Sequence, residues 1–393
     1  MWKTLYRGAP SKFNRCSVTN KNPELAKASK SVNQNSEFIE LLDAIKRYGP
    51  RNLSLISMLT GIPRETVRYK VKKQLKNLGF AIQMIPNFYR MGLTRLCARL
   101  SFTKEGLKIA RSMLDELGRN SYLSYYGKIA FSNDYLVLIN PPSRWAAMFG
   151  EFFNNLQDEG IIEGVEMSEI KEVGYPHVSY RLFDFENGTW MLEDGVRHTC
   201  EGVITIQKAS SEEAANYLID STDLAIITEL YGDAFAPLTR ASSNIGRDPR
   251  LLRYHFQEHI VRKGLIAGYV LHWFPNGVNA SNISRIWIRV NTLPSTILHE
   301  FSREVASSPF CKFYQFLNDN TLLIYLLIDR QFSFAVRHLS NIFTEYGVSG
   351  ESFIVEDAFS FTLTKEMFKD GYGWLKPRIS LQVINEGGMV PES

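Results

Sequence analysis

The sequence is poor in cysteine and contains no closely spaced cysteine pair. Its 393 residues include four cysteines, which lie far apart along the chain: Cys16, Cys97, Cys200 and Cys311. This spacing excludes a zinc ribbon built on CxxC pairs and gives no sign of the disulfide framework that small secreted domains need. We therefore expect a reduced, cytoplasmic protein.

Long apolar runs and signs of secretion are also missing. The longest strongly apolar run extends only from Leu322 to Ile328, whereas a membrane-spanning helix needs about 20 apolar residues. The basic N-terminus is not followed by the apolar stretch that a signal peptide requires. The pattern therefore predicts no association with a membrane.

Recognisable catalytic motifs are absent. His299 and Glu300 begin an HExxH pattern, but Arg303 stands where the second histidine would be. No glycine-rich phosphate loop and no GxSxG nucleophile motif occur. His255 and His259 have a spacing that can bind a metal from one helix face, but the sequence suggests no third ligand nearby. The sequence therefore predicts no enzyme, no metal site and no cofactor.

The chain does contain an internal repeat. A constant shift lays 36–79 over 221–264 without a gap, with identical residues at seven of the aligned positions. Apolar residues occupy equivalent positions in the two copies, at the spacing typical of the buried face of a helix. The first copy predicts helices over 36–48, 53–60 and 63–78, followed by an apolar strand-like stretch. This order is that of a winged helix-turn-helix.

Downstream of each copy the apolar pattern changes from helical to alternating. Over 94–172 the predicted order is strand, helix, strand, strand, helix, strand, and the same order returns over 284–363. We therefore predict an α+β protein with two tandem copies of a winged helix-turn-helix followed by a βαββαβ ferredoxin-like domain.

These patterns divide the chain into seven segments. In order, they are a basic, largely disordered tail (1–35), winged helix-turn-helix 1 (36–90), ferredoxin-like domain 1 (91–175), an acidic packed linker (176–218), winged helix-turn-helix 2 (219–278), ferredoxin-like domain 2 (279–365) and a C-terminal extension (366–393).

The third helix of the first copy carries a basic face. Over 63–76, six basic residues stand against one acidic residue, whereas the equivalent helix 248–263 has a smaller basic excess. Lysine and arginine neutralise phosphates, and residues near the start of such a helix reach base edges in the major groove. The residues predicted to contact double-stranded DNA are Arg64, Glu65, Arg68, Tyr69, Lys72, Lys73, Lys76, Arg250, Arg253, Tyr254 and Gln257.

Two arginines recur at equivalent positions of the two predicted sheets. A second constant shift places Arg95 and Arg99 over Arg285 and Arg289, in the phase opposite to the apolar side chains. Arginines on such an open face can pair with carboxylates across an interface or bind an anionic effector. Of these two roles, the sequence favours the interface.

These elements resemble those of the Lrp/AsnC, or feast/famine, transcriptional regulators. The resemblance is carried by GIPRETVRYKVKKQLKNLGF (61–80), MGLTRLCARLSF (91–102), DYLVLI (134–139) and GVEMSEI (164–170). It implies a recognition helix in the first stretch and a ligand-sensing (RAM-like) domain whose effector pocket lies near the last. It also implies that two copies in one chain pair internally, as a pseudo-dimer with two unequal reading helices.

A sequence-specific DNA-binding transcriptional regulator is the function that these observations favour. The charge distribution supports it, because the segment 1–80 carries a net charge of +11 and the segment 81–393 a net charge of −7. The expected partner is double-stranded DNA, with a small-molecule effector and self-association through open sheet faces as further options.

Two alternatives stay open. One is a siroheme-decarboxylase-like enzyme on the same architecture, and the other is a protein-interaction adaptor that does not bind DNA. The enzyme is disfavoured because AIQMIPNF and SYLSYYGK stand in place of the basic wing and the His-Asn-Tyr-Leu-Arg stretch that the resemblance implies for such enzymes.

Overall fold

The computed structural model describes most of the chain between residues 36 and 379. The described residues are 36–178, 180, 183–184, 189–190, 202–208, 219–273, 283–291, 294–318, 320–328 and 332–379. The predicted tail, most of the predicted linker, the chain after 379, Cys16 and Cys200 lie outside them. The described part is an α+β protein, and none of its helices is long and apolar enough to cross a membrane.

Three helices open the described chain. They are α1 (Ser36–Tyr48), α2 (Leu53–Thr60) and α3, which runs through Arg64–Tyr69, a π-helical Lys70–Gln74 and Leu75–Asn77. Asn52 caps the N-terminus of α2, because its side-chain oxygen accepts a hydrogen bond from the Leu55 backbone N–H at 3.2 Å. Gly61 ends α2 with φ at +68°, a left-handed conformation that favours glycine.

A strand and then a mixed unit follow these helices. The elements are β1 (Phe80–Pro86), β2 (Leu96–Phe102), α4 (Leu107–Asn120), β3 (Leu123–Ile129), β4 (Asp134–Ile139), α5 (Ala147–Asp158) and β5 (Ile162–Glu169). Four further strands are β6 (Glu172–Pro176), β7 (Phe183–Asp184), β8 (Thr189–Trp190) and β9 (Val203–Gln207). The order from β2 to β5 matches the predicted βαββαβ pattern.

The second half repeats this order. Its helical unit contains α6 (Ser221–Gly232), α7 (Leu238–Ile245) and α8, which runs through Pro249–Tyr254 and a π-helical His255–Val261. The remaining elements are β10 (Ile266–Trp273), β11 (Ser284–Asn291), α9 (Ser295–Ser307), β12 (Cys311–Asn318), β13 (Thr321–Ile328), α10 (Phe332–Glu345), β14 (Gly350–Ser360), β15 (Phe368–Lys369) and β16 (Gly373–Trp374).

Both halves contribute to one antiparallel sheet of ten strands. The order is β5-β2-β4-β3-β14-β11-β13-β12-β6-β9, so each half supplies four neighbouring strands with the same internal order. The halves join where β3 pairs with β14. Only Ile170 and Lys171 separate β5 from β6, although these strands lie near opposite ends of the order. The sheet therefore bends back towards its start.

The sheet faces that point away from the helices share a core. Its buried members are Cys97, Tyr125, Ile129, Leu136, Leu138, Ile170, Val173, Trp287, Leu317, Leu323, Phe353 and Val355. Trp287 is fully buried there, and its indole N–H donates a 3.2 Å hydrogen bond to the Tyr125 hydroxyl. Side chains from both halves thus pack against each other at the centre of the molecule.

The strands after the two helical units pair with each other. β1 and β10 form a separate two-stranded antiparallel sheet, from Phe80 opposite Trp273 to Pro86 opposite Ile266. In the described part of the chain, neither strand pairs within its own copy, as a winged helix-turn-helix with its own β-ribbon would require. Each copy supplies one strand at this place, and the backbone N–H and C=O groups of that strand find partners in the other copy.

The sheet of β1 and β10 contains a buried histidine. His272 Nε2 lies 3.2 Å from Gln83 Oε1, and burial, together with Lys312, lowers the pKa of His272 to about 3. The unfolded chain protonates this histidine near its usual pKa of 6.5, whereas the folded chain resists protonation until about pH 3. The unfolded state binds more protons in this interval, so stability falls as the pH falls.

We expect this histidine to shape the acid side of the stability profile. Between about pH 6.5 and about pH 4.5 it should remove about 2 kcal/mol from the free energy of unfolding, measured by urea denaturation. The variant His272→Gln should flatten this part of the profile, whereas His299→Gln, at an exposed position, should not. An unchanged slope in His272→Gln would contradict the prediction.

Candidate functional site

The residues predicted to contact DNA all lie at exposed positions of α3 and α8. Tyr69 and Tyr254 are 58% and 55% exposed, and Arg68 pairs with Glu65 at 3.5 Å. The other members of the set are Arg64, Lys72, Lys73, Lys76, Arg250, Arg253 and Gln257. Exposed charge is typical of any solvated helix face, so this placement does not by itself assign a ligand.

Two of the four arginines predicted at an interface or effector site form ion pairs between the halves. Arg99 pairs with Glu351 at 3.2 Å, and Arg289 pairs with Glu166 at 2.5 Å. Arg99 also contacts Asp134 within its own half, at 2.5 Å. The two pairs between halves are reciprocal, because each half supplies one arginine and one glutamate.

Arg95 is buried and has no carboxylate partner among the described residues. It is 5% exposed, and its Nη1 donates a 3.2 Å hydrogen bond to the Tyr175 hydroxyl. Its guanidinium carbon lies 5.1 Å from the centre of the Phe88 ring, and no described atom accepts a hydrogen bond from its Nε. The equivalent Arg285 also hydrogen-bonds a tyrosine, Tyr325, but it is less buried than Arg95. Since arginine stays charged, burying it without a counter-ion is costly.

The groups around Arg95 do not neutralise it. The Tyr89 hydroxyl donates a 2.5 Å hydrogen bond to the Ile170 carbonyl, and burial raises the pKa of Tyr89 although Arg95 acts in the opposite direction. Glu169, on the neighbouring strand, accepts hydrogen bonds from Lys208 at 2.7 Å and Thr94 at 2.5 Å. Burial alone would raise the pKa of Glu169, but these two contacts lower it. This carboxylate is therefore engaged elsewhere.

A pocket lies where α6 of the second half packs against the first half, and Arg95 is not among the residues that line it. Its cavity volume is about 30 Å³, and the figure rises to about 440 Å³ only when the open solvent at its mouth is counted. Phe88 and Tyr231 line the pocket and are also neighbours of Arg95. Most of the remaining wall is apolar, with Tyr122 and Asn140 among its polar members.

Strand pairing places Asn140 opposite Arg95. Leu96 pairs with Ile139 on one side of Arg95, and Leu93 pairs with Pro142 on the other. The register is therefore the same on both sides of Arg95. Residues directly opposite each other share a sheet face, with Cβ atoms about 5 Å apart. Asn140 is 2% exposed and lines the pocket, and its Oδ1 finds no hydrogen-bond partner in the described part of the chain. Asn140 at the pocket and Arg95 opposite it thus each retain an unsatisfied buried polar atom.

This arrangement is suited to an apolar ligand that carries a carboxylate. A buried guanidinium forms strong charge-assisted hydrogen bonds with carboxylates. Asn140 can accept a hydrogen bond through Oδ1 or, with its amide turned over, donate one to the same group. Aromatic and apolar walls bury the body of a ligand.

Comparison with known proteins gives matches in structure only. No protein-family model and no curated protein matches the chain. The siroheme decarboxylase NirDL matches over 84% of this chain and 94% of its own, with a TM-score of 0.52 and 9% sequence identity. The same enzyme in complex with an iron-uroporphyrin III analogue matches over the same shares of the two chains, with a TM-score of 0.51 and 10% identity. The chain is similar to NirDL in fold.

A regulator of the predicted family also matches, but over a smaller part. AsnC of E. coli covers 38% of this chain and 99% of its own, with a TM-score of 0.29 and 17% identity. We predicted a DNA-binding transcriptional regulator that is not an enzyme, and these comparisons show that this prediction is wrong. NirDL, whose solved structure matches most of the chain, is an enzyme. The prediction rested on the basic face of α3, but a charge pattern shows only that a helix face is exposed and does not identify the ligand.

Sequence reasoning found Arg95 but none of the groups around it. Asn140 could have drawn attention, because it is a polar residue at the end of a continuous apolar strand. Tyr175 and Tyr231 come from β6 and α6, far along the chain. No local pattern connects them with Arg95, and only the packing of the two halves brings them together.

Proposed function

We propose that this protein is an enzyme of the siroheme decarboxylase type. It binds a tetrapyrrole that carries carboxylate side chains, and it holds one of these carboxylates at Arg95. The observation that carries the proposal is the buried guanidinium of Arg95, which lacks a carboxylate partner within the described residues and packs on Phe88, a residue of the pocket wall. The NirDL fold supports it, because that enzyme has been solved with an iron-uroporphyrin analogue.

The residues at the pocket fit this class of substrate. The aromatic rings of Phe88 and Tyr231 offer surfaces for a flat macrocycle, and Arg95 supplies the charge that a carboxylate needs. The Tyr122 hydroxyl donates to the Leu375 carbonyl at 2.7 Å, and burial raises the pKa of Tyr122, so the phenol stays neutral and fixed in place.

We also propose that the chain is a tandem duplication, with paired units at 36–90 and 219–278 and at 91–175 and 279–365. The same order of elements in both halves supports this division, as does the same strand order within each half of the large sheet. The reciprocal ion pairs Arg99–Glu351 and Arg289–Glu166 have the arrangement expected of two related halves.

A binding and turnover experiment tests the proposed activity. The purified chain is titrated with iron-uroporphyrin III while the visible absorption of the iron porphyrin is followed, and it is then incubated with siroheme. We expect saturable binding and, by mass spectrometry, a product that has lost carbon dioxide. The variant Asn140→Leu should bind about tenfold more weakly, because a polar group at the pocket is lost.

The matched control is Arg68→Ala on the exposed face of α3, which should bind and react as the wild type does. Absence of saturable binding to the wild type would contradict the proposal. So would equal binding by wild type and Asn140→Leu combined with weakened binding by Arg68→Ala, since that result would move the site to α3.

A further inference from the structure

Two histidines and two aspartates meet at the start of α6. The Asp223 carboxylate is fully buried, with Oδ1 2.9 Å from His255 Nδ1 and Oδ2 3.3 Å from His259 Nδ1. Asp220 Oδ2 lies 3.6 Å from the same His255 nitrogen. One potential ligand atom from each of the four residues lies within 4.8 Å of the others. Packing of α6 on α8 thus supplies the further ligands that the sequence did not reveal.

We propose that these four residues form a binding site for one zinc ion. Histidine nitrogen and carboxylate oxygen are ordinary zinc ligands, and four of them complete a tetrahedral site. Bonds of about 2.0–2.1 Å place neighbouring ligand atoms of a tetrahedron about 3.4 Å apart, which lies within the spread of the three contacts above. Calcium and magnesium take oxygen ligands in larger number, so the two imidazoles select against them.

The charge of the cluster agrees with a divalent cation. Asp220 and Asp223 form no ion pair with a lysine or arginine of the described chain; their ionic contacts are with the two histidines. Two carboxylates and two neutral imidazoles carry a charge of −2, which one Zn²⁺ balances. A buried carboxylate such as Asp223 is otherwise costly, because it has left water without a full counter-charge.

The first half shows that the helices do not need these residues in order to pack. The shift that aligns the two copies places Phe38, Lys70 and Gln74 at the positions of Asp223, His255 and His259. Phe38 is a buried core residue, and Lys70 pairs with Glu37 on α1. The same helical arrangement therefore forms with an apolar residue in place of the buried aspartate. The four ligand-type side chains are a property of the second half alone.

The site is open to solvent on one side. The Asp223 side chain is 0% exposed and that of His255 10%, whereas the side chains of His259 and Asp220 are 26% and 39% exposed. An ion can thus enter past Asp220 and His259 and reach the buried pair. Asp220 keeps its second oxygen for the helix, because Oδ1 accepts hydrogen bonds from the Thr222 and Asp223 backbone N–H groups.

Zinc at this place would fix the helix that forms one wall of the pocket. Ile227, Thr228 and Tyr231 on α6 line the pocket, one to three turns after Asp220 and Asp223. A bound ion joins the first turn of α6 to α8 and so holds this wall in position. The zinc site itself depends only on the four ligands, and it stands or falls separately from the proposed enzymatic activity.

Metal binding by the full-length chain tests the site. After treatment with a chelator, the protein is titrated with zinc chloride in a calorimeter, and its melting temperature is measured with and without zinc. We expect one ion per chain and a melting temperature that rises with zinc concentration. Cobalt in place of zinc should give the visible absorption of a tetrahedral site.

Three variants decide whether the ion sits at the cluster. His259→Gln restores the first-half residue at a partly exposed position and should weaken zinc binding at least tenfold, as should Asp223→Asn. The variant His299→Gln changes an exposed histidine on α9 and should bind zinc as the wild type does. Should Asp223→Asn fail to fold, His259→Gln still gives the answer. Absence of binding to the wild type, or unchanged affinity in His259→Gln, would overturn the proposal.

Discussion

The variant Arg95→Met should bind iron-uroporphyrin III at least a hundredfold more weakly than the wild type and yet be more stable. Weaker binding is expected because the variant loses the buried charge that holds a carboxylate. Greater stability is expected because a buried guanidinium without a carboxylate partner is replaced by an apolar side chain of similar length. Such a replacement should raise the free energy of unfolding by about 1–3 kcal/mol in urea denaturation.

Arg99→Met provides the matched control for this experiment. Arg99 lies on β2, in the same alternation phase as Arg95, which directly precedes this strand, but it pairs with Asp134, which is 7% exposed. Its removal leaves that carboxylate without its partner and should lower stability. If Arg95→Met were destabilised as Arg99→Met is, the Arg95 charge would have a compensating partner. If Arg95→Met bound the porphyrin normally, the carboxylate site would lie elsewhere.

The variant Trp287→Ala should lower the free energy of unfolding by about 3–5 kcal/mol. Trp287 is fully buried between the halves, with ring centroids 4.7 Å from Tyr325, 5.4 Å from Phe313 and 5.7 Å from Tyr125. Truncation leaves a cavity that these rigid rings cannot close by small movements. It also removes the donor to the Tyr125 hydroxyl.

Urea denaturation with both fluorescence and circular dichroism detection measures this effect. Trp287→Phe should lose less stability, since it keeps most of the apolar volume, and Tyr372→Ala, at a 55% exposed position, should change little. A loss of less than about 1 kcal/mol for Trp287→Ala would mean that the core between the halves contributes little to the fold.

Local periodicity was enough to predict the helices and strands of the two repeated units, but not β6 or β9. The residues Val67, Val71 and Leu75 recur at helical spacing and are buried in α3, and the alternation after Thr94 marks β2. Pairing between distant strands was not predictable. Nothing near Phe80 indicates that β1 pairs with β10, which belongs to the other half of the chain, because any exposed strand edge offers the same backbone groups.

The candidate sites were likewise predictable only in part. Arg95 is recognisable because it breaks an apolar strand pattern, and His255 with His259 is recognisable from the i, i+4 spacing. Their surroundings come from other elements. Asp223 lies on a different helix from His255, and its carboxylate reaches the histidines only because α6 packs on α8. The sequence therefore showed one side of each site and not the other.

The joined sheet gives each half freedom to differ from the other. Two identical subunits would carry every site twice, and any substitution would appear in both copies. In this chain Arg95 is buried while its counterpart Arg285 is partly exposed, and Asp223 occupies a position held by Phe38 in the other half. Backbone hydrogen bonds between β3 and β14 join the two halves, and they do not depend on the side chains at these positions. One half can thus specialise while the other keeps the scaffold.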